Sequence, residues 1–316
     1  MPSFSGVWSL QAVMQAVGAG LWPPNYVAPI ALIAGGQILG GSSTNSIEYV
    51  NITTTGNALS FGALTTGERN GGGCASSTRG LFGGVLVGAG SVSNIIDYVT
   101  IASTGNAVDF GDLSVSRWGV AACNSATRGV FGGGRNSGSV DTNIIDYVTI
   151  ASTGNATDFG DLISNNRPAN GGCSSPTRGI FGGGLSNVIQ YITIASTGNA
   201  IDFGDLLVDA PWGACSNATR GIYAGPDGGN KNEINYITIA TTGNAINFGT
   251  LTVARNTPAG SASDTRAIFS GGDSGTTSNV IDYVTIATTG NATDFGDLIT
   301  GRSSPLGCSA VNGGVQ

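Results

Sequence analysis

Carboxylates are the residues of this chain best placed to do chemistry, and they come in sets. Asp97, Asp146 and Asp282 each precede a tyrosine, while Asp109, Asp158, Asp202 and Asp294 open DFGD motifs that Asp112, Asp161, Asp205 and Asp297 close. A glycoside hydrolase needs one pair of carboxyl groups in unlike environments. Sets repeated along a chain receive like environments, which predicts turn and strand-end hydrogen bonding instead. Only Asp209, Asp227 and Asp273 are plausible unrepeated members for an asymmetric pair. Calcium at the DFGD turns is an open alternative, although their spacing matches no calcium loop. Histidine is absent, so the commonest general base and metal ligand are missing, including the ligands of a copper-radical oxidase. No catalytic residue, metal site or cofactor is expected.

Arginine repeats too. Arg79, Arg128, Arg178, Arg220 and Arg266 stand in TRG or TRA turns; they form either a partial ring able to hold an anionic sugar or phosphate, or ties to turn carbonyls. Cys74, Cys123, Cys173, Cys215 and Cys308 fall at one equivalent place per repeat, with Ser261 or Ala262 there in the remaining copy. An odd set spread by symmetry is no disulfide framework, so these read as small buried thiols. Asn51, Asn155, Asn217 and Asn291 match the glycosylation sequon, but three lie in repeated turns where Asn serves the backbone.

The element that positions all of these is a repeat. IIDYVTIASTGNAVDFGDL (95–113) returns nearly verbatim at 144–162, 188–206, 233–251 and 280–298, with a worn copy, SIEYVNITTTGNALSFGAL, at 46–64. The TGNA glycines are Gly56, Gly105, Gly154, Gly198, Gly243 and Gly290, at spacings of 44 to 49 residues. Such a period marks a propeller or solenoid. One unit, 119–162, parses into four antiparallel strands: a small-residue strand (GVAACNS), a second strand ending in glycines (VFGGG), the long third strand (IIDYVTIAS) and, after the TGNA turn, a fourth (TDFGDL). The third strand is apolar on both faces, which suits a strand held between neighbouring sheets. The first carries Gly, Ala, Cys and Ser, which suits a crowded axis. The sequence enters the repeat at a second strand (ALIAGG, 31–36) and leaves it after a first strand (LGCSA, 306–310). The C-terminal strand is therefore expected to complete the first sheet and close the ring.

This pattern resembles the kelch repeat. The marks are Phe82-Gly83-Gly84, Asp97-Tyr98, Phe110 and Arg117 in one pass, and Phe131-Gly132-Gly133, Asp146-Tyr147, Phe159 and Arg167 in the next. Phe stands where the family usually has Trp, and the pass VDAPWGAC lacks the Arg. The resemblance implies an all-β, six-bladed kelch-type β-propeller of four-stranded antiparallel blades over residues 30–316.

Residues 1–29 lie outside the repeat. Ser9 can cap a short helix whose apolar positions Leu10, Val13, Met14 and Val17 follow helical spacing, ended by Gly18 and Gly20 and a stiff Pro23-Pro24 exit. Alone such a helix is marginal, so with Trp8 and Trp22 it reads as an anchoring arm. No cationic n-region marks a signal peptide, and no apolar run is long enough to span a membrane. The net charge is −7 and Lys231 is the only lysine, which disfavours nucleic acid as a partner.

What varies is the loop after each glycine run: QILGGSSTNS, VLVGAGSVSN, GRNSGSVDTN, GLSN, PDGGNKN and DSGTTSN. Together with the linkers before each first strand, these loops should share one face, opposite the TRG and TGNA turns. Individual loops on a constant scaffold build a binding surface. Its candidate residues are Trp118 and Trp212, able to stack on sugar rings, with Arg117, Arg135 and Arg255.

YVTIASTGNATDFGDL (147–162), joined to GVWSLQAVMQAVGAGLWP (6–23), looks like virion structural proteins of tailed phages, especially marine and cyanobacterial ones. The resemblance implies a non-enzymatic particle component made in the host cytoplasm: a tail fibre or host-recognition appendage, or else a capsid decoration protein. Its expected partners are other virion proteins through residues 1–29, host surface glycan at the loop face, and further copies of itself on the particle. A free lectin-like module is the remaining alternative; it would want matched sugar pockets, which two unrepeated tryptophans do not supply.

Overall fold

The computed structural model describes residues 29–164, 171–183, 186–207, 211–226 and 231–309. The described part is all-β, without a helix. The helix expected between Ser9 and Gly18, and with it Trp8, Leu10, Val13, Met14, Val17 and Trp22, lies outside the described residues.

Among the described residues there are six four-stranded antiparallel, blade-like sheets, each a meander of consecutive strands. The second is typical: Gly72–Ala75, Arg79–Gly83, Ile95–Thr100 and Val108–Asp112. The first departs from sequence order as the repeat phase predicts. Leu306–Ser309 pairs antiparallel with Ile30–Ala34, ahead of Ser46–Asn51 and Leu59–Ala63. The first strands of the six sheets neighbour one another in a closed cycle, with Leu306–Ser309 seated between Ala259–Ala262 and Gly72–Ala75. Their Gly and Ala residues leave an axial space of about 20 Å³, room for about one water.

The third strands are buried on both faces, as their composition requires. Ile96, Asp97 and Val99 are all inaccessible or nearly so. Within each sheet the tyrosine of the third strand meets the phenylalanine of the fourth edge-to-face, with centroids 5.7–6.0 Å apart in all six copies. Such pairs contribute about 0.5–1.5 kcal/mol each beyond their burial.

Neighbouring sheets are joined by the TGNA turn. In the junction between the second and third sheets, Gly154 N–H donates to Phe110 O at 2.8 Å and Ala156 N–H to Asp112 O at 2.7 Å. Asn155 Oδ1 accepts from Asp112 N–H at 3.1 Å. The same three bonds recur at every junction, including the closing one, where Gly56 and Ala58 donate to Phe295 and Asp297 and Asn57 accepts from Asp297. The DFGD glycine makes this approach possible. The pairing of third and fourth strands shifts register there, a bulge that Gly111 meets with φ of +143°, and a Cβ on Gly111 would sit 2.5 Å from Gly154 O.

Gly160 and Gly154 share nearly the same positive φ, 143° and 154°, but a Cβ on Gly160 would meet the Gly198 backbone at 2.6 Å while one on Gly154 would meet nothing within 4 Å. Gly160→Ala is therefore expected to destabilise by roughly 2–4 kcal/mol, more than Gly154→Ala by at least about 1 kcal/mol. Denaturant unfolding midpoints of the two variants measure the difference.

Candidate functional site

Three of the arginines that precede a first strand are buried. Arg117, Arg255 and Arg302 are all 0% exposed. Each comes six residues before the cysteine position, and each meets the carboxylate of its own sheet's third strand: Arg117 Nη1 to Asp146 Oδ2 at 2.9 Å, Arg255 Nη1 to Asp282 Oδ2 at 2.8 Å, and Arg302 with Glu48. In Arg255 the remaining N–H groups serve backbone carbonyls, Nε to Gly271 O at 2.8 Å and Nη2 to Phe269 O at 3.0 Å. Arg117 Nη2 donates to Phe131 O at 3.2 Å, while its Nε has no hydrogen-bond partner among the described residues. Asp146 also accepts from the Ser114 amide and hydroxyl, and so binds the incoming linker. Burial lowers the pKa of Arg117, opposed by the charge of Asp146.

This overturns two sequence expectations. Arg117 and Arg255 do not line the loop face, because their acidic partners lie inside the sheet, 29 and 27 residues downstream. Trp212 is also corrected: it is 7% exposed, because it belongs to the innermost strand Pro211–Ser216. It stands three residues before its cysteine, whereas Trp118 stands five before Cys123, so the two tryptophans occupy different places. Of the repeated third-strand carboxylates, Asp146 and Asp282 each hold an arginine and a linker, and Asp97 holds a linker alone, in keeping with a structural role. Of the unrepeated acids, Asp209 and Asp227 lie outside the described residues, and Asp273 closes a turn by accepting from Gly275 N–H at 2.8 Å.

Trp118 and Arg135 are brought together. Arg117–Trp118 and Arg135–Asn136 form a two-stranded ribbon on the loop side of the third sheet, with Trp118 directly opposite Arg135. Arg135 is held bidentately by Asp141, at 2.7 and 3.1 Å, which raises its pKa through the hydrogen bond. Both residues are half-buried, and exposed Val140 stands beside them at the tip. An indole, a guanidinium and a carboxylate within one ribbon can stack on a sugar ring and bond its hydroxyls.

The TRG arginines tie carbonyls, the second of the two readings the sequence left open. Arg79 Nη1 donates to Ile150 O of the next sheet at 3.0 Å, with its guanidinium 4.7 Å from the centre of the Tyr98 ring. The same link recurs at Arg128, Arg178, Arg220 and Arg266. The five cysteines are free and buried. Burial pushes the thiols of Cys74 and Cys173 up to about 12, so they are unreactive. Among the described residues, no group of three or more His, Cys, Asp or Glu could hold a metal ion. No protein-family model matches the chain, and no curated protein does either.

Asp146→Ala strands a buried guanidinium and is expected to cost about 3–5 kcal/mol. Arg135→Ala removes a partly exposed pair and should cost less than about 1 kcal/mol. Thermal unfolding of the two variants checks both values.

Proposed function

We propose that the closed cycle of sheets is a six-bladed kelch-type β-propeller, and that the chain is a non-enzymatic structural protein of a phage particle, tethered through residues 1–29 and presenting its variable loops for host-surface recognition. The resemblance of the repeat and of the N-terminal segment to tailed-phage virion proteins motivates the particle setting. The placement of Pro29 carries the presentation.

Ile30 pairs with Asn51, at the end of the sheet that leads into the TGNA turn, and Pro29 O accepts from Ile52 N–H at 2.9 Å. Residues 1–29 therefore join the ring on the face of the TRG and TGNA turns, which hardly vary. The loops that differ from sheet to sheet lie on the other face. A tether at Pro29 points that second face away from whatever the segment holds.

A non-enzymatic role agrees with the site chemistry. Among the described residues the axial space admits about one water, and the third-strand carboxylates are spent on linkers and arginines. The ribbon of Trp118 and Arg135 is a candidate contact for a host glycan, and among the described residues the equivalent ribbons of the first and second sheets carry no tryptophan, which favours an appendage with one asymmetric contact over a lectin with matched sites. Capsid decoration is the second reading; there the same loop face would meet a neighbouring copy.

Deletion of residues 1–28 is expected to leave the ring folded and to abolish its incorporation into particles, read by co-sedimentation. A truncated chain that unfolds, or that still assembles, contradicts the tether. Trp118→Ala is expected to weaken binding to host-surface polysaccharide about tenfold, the equivalent of about 1.4 kcal/mol, measured by surface plasmon resonance.

A further inference from the structure

Six residues before its cysteine, the second sheet carries Glu68 where the first, third, fourth and sixth carry Arg302, Arg117, Arg167 and Arg255 before the same inner-strand position. Glu68 therefore faces the third-strand acid of its own sheet, Asp97, so two carboxyl groups occupy the place of an ion pair. Both are buried, at 1% and 0% exposure. Asp97 keeps the linker bonds of its counterparts, accepting from the Thr65 amide at 2.8 Å and from the Thr65 hydroxyl. Glu68 Oε1 accepts from Thr66 Oγ1 at 3.1 Å, and Glu68 Oε2 has no hydrogen-bond partner among the described residues.

A second change accompanies the first. In the first, third and sixth sheets the residue after the glycine turn is Gly36, Gly134 or Gly272, where a Cβ would crowd backbone or side-chain atoms and come within 3.1–3.4 Å of the arginine stem. In the second sheet that residue is Val85, fully buried. Its Cγ1 lies 2.4 Å from where a Cβ on Gly71 would be, and it joins the apolar cluster that holds Leu306, so this sheet has a packed valine and no cation beside its acids.

The other charges nearby offer no compensation. Asp97 faces Glu68 from the third strand, and Asp109 stands behind Asp97 on the fourth. Arg69 turns its guanidinium to Ser43 Oγ and Gly88 O. Arg302, in the adjoining first sheet, is committed to Glu48 and Gly35 O.

We propose that Glu68 keeps its proton at neutral pH, and that this proton latches together the loops of the first and second sheets on the variable face, which loosen as rising pH draws it off. The backbone of Glu68 is the seam between those loops. Its N–H donates to Thr44 O at 3.2 Å and its carbonyl accepts from Gly36 N–H at 2.7 Å. The same residue pairs with Val87 of the next loop, while Arg69 bridges Ser43 and Gly88 across them.

Burial, followed by the charge of Asp97, pushes the Glu68 carboxyl from 4.5 up to about 8, with the Thr66 hydrogen bond opposing. A folded pKa above the unfolded one means that the native state holds the extra proton. The associated stability is complete below about 4.5, is lost progressively as pH rises from there through about 8, and is level above that.

The test uses the full chain, as wild type and as Glu68→Gln, which imitates the protonated acid. Infrared spectra and amide hydrogen exchange of segments 37–45 and 86–92, corrected for the intrinsic rate, are recorded from pH 6 to pH 10. The wild type should show a protonated-carboxyl band that titrates near pH 8 and is missing from Glu68→Gln. Its segments should lose protection about tenfold across that range while those of Glu68→Gln change less than about twofold. No such band at pH 7, a band that survives in Glu68→Gln, or equal loosening in both proteins overturns the proposal. The double variant Glu68→Arg/Val85→Gly rebuilds the arrangement of the third sheet, and its loops should stay protected throughout; loosening there with the wild-type profile also contradicts the latch.

Discussion

The architecture depends on one backbone contact made six times: the carbonyl of a TGNA glycine lying where the Cβ of the preceding sheet's bulge residue would be. Only glycine at the bulge permits it. The contact brings the turn close enough for its Gly and Ala amides to donate to the fourth strand and its Asn side chain to accept from it. An outer strand would otherwise present an unpaired edge, a template for uncontrolled association. Here each edge is covered by its neighbour's turn, and the last junction returns to Gly56, Asn57 and Ala58. With every bond worth about 0.5–1.5 kcal/mol net, no single junction dominates, and the ring holds because all are made.

The periodic part of this structure was legible in the sequence. The four-strand unit, the doubly buried third strand, the small-residue innermost strand and the seating of Leu306–Ser309 beside Ile30–Ala34 all follow from spacing and composition. The candidate site was less legible, because exposure is set by pairing and not by residue type. Arg117 and Arg255 stand in linkers, where a charged residue reads as solvated, yet each is drawn inside by an acid in the middle of an apolar strand. One internal signal marks the pairing: Arg117 with Asp146, Arg255 with Asp282 and Arg302 with Glu48 occur in the same repeats. Trp212 was misplaced because only its distance from Cys215 separates an inner-strand position from a linker. Glu68 carries no mark in its residue type; only its frame relative to Cys74 places it opposite Asp97.

Departures from the repeat gather where the symmetry is broken. Ile30 begins the second strand of the first sheet where the other five have arginine, so Tyr49 has no stacked guanidinium among the described residues. Glu68 and Val85 alter the adjoining sheet, and the Trp118–Arg135 ribbon belongs to the third. In a ring of near-identical units, the constant residues explain the fold, and any individual task falls to these exceptions. On the proposed reading the first departure lies beside the tether and the other two lie toward the presented face.

The central claim concerns orientation: the constant face held by residues 1–29 and the variable loops turned outward. The most direct measurement is a cryo-EM reconstruction of the purified particle that contains this chain. The account predicts rings of six sheets attached from the side of the TGNA turns, with density leading to Pro29 and the loop ribbons facing solvent. Rings seated with their variable loops against the particle, or a chain recovered only as free protein, would contradict it.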